Sequence, residues 1–128
     1  MDSYCKIMNI EARTSVDMIL HQILPAAISY TNTLCDTIVK KQSVGASCNA
    51  EKELVSILSA ATDSLYDLAQ QLKQALVDVP SERVQAISYY HDTISVLMEK
   101  SRVQADILEQ NTDKSYWPYP TYSDLLFY

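Results

Sequence analysis

The chain has 128 residues, a formal net charge of −6, and a composition that is 48% hydrophobic and 20% charged. That length supports one domain with its own core, and the acidity argues against nucleic acid or an anionic membrane surface as a partner. One glycine and four prolines in the whole chain leave few places where a helix must break, so the composition predicts long helices.

A first helix is predicted over about 3–41. Met8, Ala12, Val16, Ile19, Ile23, Ala27, Tyr30, Leu34 and Ile38 recur three or four residues apart and make one apolar stripe. Pro25 falls inside this pattern, which resumes in phase beyond it. A kink is therefore expected there rather than a stop. Lys40 and Lys41 suit the negative end of a helix, and Gly45, the sole glycine, suits the left-handed residue that closes one. Cys35 lies between Leu34 and Ile38 and reads as a small core residue. With Cys5 and Cys48 it makes three cysteines without close pairing, as expected of free thiols in a reducing cytoplasm.

A second helix is predicted over about 50–78, capped by Ser47 or Asn49. Leu54, Leu58, Ala61, Leu65, Leu68, Leu72 and Ala75 form a heptad seam that must face another helix. A third is predicted over about 81–111, with Val84, Ile87, His91, Ile94, Met98, Ser101, Ala105 and Leu108 on its seam. His91 reads as a satisfied seam histidine. The polar run from Asn111 to Lys114 reads as a linker. The expected fold is all-α: an antiparallel three-helix bundle over 1–113, with a long Pro-kinked first helix and an irregular aromatic tail over 114–128.

The tail, YWPYPTYSDLLFY, concentrates six aromatics in thirteen residues, and Pro118 and Pro120 forbid a regular helix through it. A solvated tail is poor in aromatics. This one is composed to be buried, either on its own bundle or on a neighbouring domain or subunit. Tyr116, Trp117, Tyr119, Tyr122, Leu125 and Phe127 are its candidate interface residues.

No motif carries catalysis. Neither His21 nor His91 belongs to a nucleophilic arrangement, His91 and Asp92 point about 100° apart on a helix, and a phosphate-cradling loop is not available to a chain with one glycine. Arg13 and Asp17 have the spacing of an exposed ion pair, and Asp63 and Asp67 that of two surface carboxylates. No catalytic, cofactor-binding or metal residues are assigned. Lys6, Glu11, Arg13 and Asp17 interrupt any leader-like apolar run, and no stretch approaches a membrane span.

Several segments look familiar together. NIEARTSVDMI (Asn9 to Ile19), ILPAAISYT (Ile23 to Thr31), SVGASC (Ser43 to Cys48), TDSLYD (Thr62 to Asp67), YYHD (Tyr89 to Asp92) and YWPYPTYSDLLF (Tyr116 to Phe127) resemble, in this order, the C-terminal region of type III glutamine synthetases, the large bacterial form. The resemblance implies a cytoplasmic parent enzyme that ligates ammonia to glutamate with ATP and magnesium and assembles as a dodecamer of two stacked rings. It also implies that the catalytic β-sheet domain lies before Met1, outside this chain, so no catalytic residue carries over. The implied role is non-catalytic, in structure or subunit assembly, with the parent's catalytic domain and neighbouring subunits as partners. The competing reading is a stand-alone helical interaction module, homodimeric through its heptad seams.

Overall fold

The computed structural model describes residues 3–120, and among these every regular element is helical. Three rods account for them. The first comprises α1 (Ser3–Met18), a π-helical turn (Ile19–Ile23) and α2 (Leu24–Ser43). The second is α3 (Asn49–Val77). The third comprises α4 (Arg83–Tyr89), a second π-helical turn (Tyr90–Ile94) and α5 (Ser95–Asn111).

Pro25 does not end the first rod. It lies one residue beyond the π turn, from which the Leu24 N–H reaches back to the Ile19 carbonyl. A wide turn at this place suits a residue that has no N–H to give and whose ring crowds the preceding turn. The rod closes at Gly45, which takes φ 72°. Ala46 N–H bonds to the Lys41 carbonyl at 2.9 Å and Gly45 N–H to the Gln42 carbonyl at 3.2 Å. These two bonds satisfy the orphan carbonyls of the last turn in a Schellman arrangement, which needs the left-handed residue only glycine adopts cheaply.

The residues of the first stripe lie inside. Ala12, Ile19, Ile23, Ala27 and Leu34 are buried, and Met8, Val16, Tyr30 and Ile38 are half-buried. Cys35 differs from the expectation: it is exposed, whereas Cys5 and Cys48 are buried. One residue past Leu34 is a 100° turn, which puts Cys35 in phase with Ile28 and Val39 on the outer face.

Neither Ser47 nor Asn49 caps α3. The cap position is Cys48, whose side chain makes no capping bond. The charge of Lys41 is instead paired with Glu51 in the first turn of α3, which ties the two ends of this connection together. The third rod begins two residues later than expected, because Glu82 is its cap: its carboxylate accepts from Val84 N–H at 3.0 Å and Gln85 N–H at 2.8 Å.

Two clusters form the core. One joins Cys5 and Ala12 of α1, Leu72 and Ala75 of α3, and Tyr90 and Ile94 of the second π turn. The other joins Ile19, Ile23, Leu24, Ala27 and Leu34 of the first rod with Leu58, Ala61, Leu65 and Ala69 of α3 and Leu108 of α5. The start of the first rod thus meets the end of α3 and the start of the third rod, so successive rods run in opposite directions. α3 is the element on which both α2 and α5 pack.

The second π turn changes the seam of the third rod. Its extra residue brings Tyr90 inside at 1% exposure, with Ile94 fully buried. His91, expected on the seam, is turned out to solvent, where its Nδ1 lies 2.9 Å from Asp92 Oδ1. Val84 is also exposed.

Candidate functional site

The aromatic tail sits where the rods leave a gap. α2 and α5 both pack on α3 but scarcely touch each other, so one side of their cluster lacks a wall. The chain leaves α5 at Asn111 and turns at Asp113, whose carboxylate accepts from the backbone and hydroxyl of Ser115 at 2.8 and 2.9 Å. Those bonds hold the Asp113 carboxyl below its ordinary value, the backbone bond contributing most. Tyr116 N–H closes the turn on the Asp113 carbonyl at 2.9 Å.

From this turn the tail runs back along α2. The Tyr116 ring lies 5.1 Å from that of Tyr30, tilted by 54°. Its hydroxyl shares a 2.8 Å hydrogen bond with the Thr33 hydroxyl. Trp117 and Tyr119 meet edge-on with centroids 6.4 Å apart, and both pack against the cluster of Ile23, Leu34, Leu58 and Leu108. The Tyr119 hydroxyl donates to Gln22 Oε1 in the first π turn. Burial pushes the Tyr119 phenol above its ordinary value, and the charge of Asp17 adds to this. Trp117 Nε1 is buried without a hydrogen-bond partner, a cost that its ring's burial has to exceed.

Of the six candidate interface residues, Tyr116, Trp117 and Tyr119 are therefore brought together on the chain's own core, half-buried. Tyr122, Leu125 and Phe127 lie outside the described residues.

The opposite end holds a second feature, one that sequence reasoning missed. An open cleft of about 850 Å³ lies between α1, the end of α3 and the start of α4. Arg13 lines it. It makes no ion pair with Asp17, which lies 3.8 Å from His21 instead; its Nε donates to Asn9 Oδ1 at 2.8 Å. Asn9 Nδ2 in turn donates to the Tyr90 hydroxyl at 2.9 Å. Asn9 and Tyr90 are 81 residues apart, so no local pattern announces the pair. Among the described residues no three His, Cys, Asp or Glu side chains converge as a metal site would require, and no helix is long and apolar enough to cross a membrane.

A model of the glutamine synthetase C-terminal domain family matches residues 1–42, nearly the whole first rod. The likeness is to the C-terminal part of glutamine synthetases. Over 99% of its length the chain is 28% identical to a glutamine synthetase of Butyrivibrio fibrisolvens. It is 27% identical, again over 99% of its length, to one of Bacteroides fragilis. The chain spans only about a fifth of these curated relatives, 19% and 18% of their lengths. No solved structure matches.

Proposed function

We propose that this chain is a non-catalytic helical C-terminal domain of a bacterial type III glutamine synthetase, and that it serves structure or subunit assembly. The parent enzyme would join ammonia to glutamate in the cytoplasm with ATP and magnesium, held by a catalytic domain that this chain does not contain. The observation that carries the reading is the likeness of 99% of this chain to a fifth of each of two glutamine synthetases. The rod matched by the family model also has an unused outer face, with Ile7 and Ile10 on α1 and Ile28 and Val39 on α2 exposed. Apolar side chains at that spacing suit cover by the parent's catalytic domain or a neighbouring subunit of a dodecamer.

The tail would act in the same role by fixing the α2–α5 side of the domain. Removing Tyr116 to Tyr128 from the full-length parent is expected to lower its melting temperature and loosen its oligomer, as read by sedimentation. An unchanged oligomer with unchanged melting would contradict the assembly role. The rival reading, a homodimer through the heptad seams, finds little support, because Leu58, Leu65 and Leu72 are fully buried within one chain.

A further inference from the structure

We propose that the cleft between α1, the end of α3 and α4 binds a small aliphatic monocarboxylate. Three observations carry this, none of them dependent on the glutamine synthetase reading.

The first is charge. The chain carries 16 acidic and 10 basic residues, yet among the described residues no Asp or Glu lines this cleft, whereas Arg13 does. Asp17, one helical turn beyond Arg13, lies 3.8 Å from His21 and makes no ion pair with the guanidinium.

The second is preorganisation. Arg13 uses only Nε, on Asn9; its two terminal nitrogens have no hydrogen bond or ion pair among the described residues. Asn9 is fixed from behind by Tyr90, so the guanidinium is held by a chain of side chains that ends in a buried ring. The Tyr90 hydroxyl accepts from Asn9, and its own O–H has no acceptor among the described residues, although Tyr90 is 1% exposed and lines the cleft. A buried O–H without an acceptor costs free energy until something supplies one. The π turn is what brings Tyr90 to this position, and such turns recur at binding sites.

The third is shape. Leu76, Val79, Pro80 and Ala86 supply an apolar wall beside these donors. A guanidinium fork next to a phenol O–H matches the two oxygens of one carboxylate, and the wall takes an aliphatic body. The net charge of −6 works against multiply charged anions, which favours a monocarboxylate over phosphate.

The test is a titration of this chain with acetate, butyrate and hexanoate, against butanol, sodium chloride and inorganic phosphate. The readout is the amide shifts of Asn9, Arg13, Leu76 and Ala86 in proton–nitrogen spectra. Saturable shifts confined to this cleft are expected for butyrate and hexanoate, tighter than for acetate and absent for butanol and chloride. Arg13→Met should weaken binding at least about tenfold, the loss of a charge-assisted hydrogen bond. Arg13 is exposed, so this variant keeps the fold. Tyr90→Phe keeps the ring in the core and should weaken binding by about threefold or more. No saturable shift, an equal response to butanol, preference for phosphate, or unchanged binding by folded Arg13→Met would each overturn the proposal.

Discussion

The two ends of the molecule solve the same packing problem differently. At the end that holds Tyr90, the three rods meet and close their core with their own side chains: Cys5 and Ala12 from α1, Leu72 and Ala75 from α3, Tyr90 and Ile94 from the π turn. At the other end α2 and α5 stand apart on α3, and Trp117 and Tyr119 of the tail join the cluster from outside the helices. A bulky residue inside a rod and an aromatic segment after it thus do equivalent work. They differ in what they leave over. The first end keeps an open cleft with an ordered arginine, and the second spends its polar groups on pinning the tail.

The largest effects should come from α3, the element common to both ends. Leu65→Ala and Leu72→Ala remove fully buried side chains from the two clusters and should each cost about 2–5 kcal/mol. Because α3 is one uninterrupted helix, both should lower a single transition. Circular dichroism reports the whole fold, and fluorescence of Trp117, the only tryptophan, reports the tail end. Coincident melting curves for both variants are expected; separated curves would show that the two ends unfold independently.

Trp117→Ala should cost less, about 1–3 kcal/mol, because the ring is half-buried. Its effect should be one-sided. Hydrogen exchange should quicken around Tyr30 to Leu34 and Leu108 and stay unchanged around Ala12, Leu72 and Ile94. Uniform loss of protection would remove the distinction between the ends. Tyr90→Phe is the converse, at about 1 kcal/mol, since it leaves Asn9 without its acceptor and should be felt only at the cleft end.

The smallest effects are those of pH. The Tyr119 phenol is raised in the folded state, mainly by burial. Its contribution is complete below the unfolded tyrosine value of about 10 and is lost as the pH rises through the folded one. Alkali should therefore loosen the tail end, seen as a change in Trp117 fluorescence that Tyr119→Phe abolishes. Glu82 behaves in the opposite sense. The N–H groups of Gln85 and Val84 hold its carboxyl below the ordinary range, so its contribution is present at neutral pH and fades as acid protonates it. Glu82→Ala should flatten that acid dependence at the start of α4, checked by urea denaturation at neutral and acidic pH.

Much of this was legible in the residues. Spacings of three and four identify Ala12, Ile19, Ile23, Ala27 and Leu34 as interior, and a lone glycine after two lysines marks the end of the first rod. The misreadings have local causes. His91 and Tyr90 exchange roles because a π turn inserts a residue that a regular period does not anticipate. Cys35 is adjacent to the stripe in sequence and a 100° turn away from it in space. The caps at Cys48 and Glu82 were hidden, since Ser47 and Asn49 are the better capping residues by type and Glu is an uncommon one. The aromatic content of the tail marked it for burial, but not which gap it would fill. The link from Arg13 through Asn9 to Tyr90 joins residues on two rods and has no signature along the chain.

The most direct test of the functional account is the native size of the protein. An antibody raised against YWPYPTYSDLLFY would be used to blot a denatured extract of the cells that make it. The account predicts a band several times heavier than 14.5 kDa, as befits a domain spanning a fifth of its relatives. A band at 14.5 kDa alone would contradict it and make this chain a free-standing module.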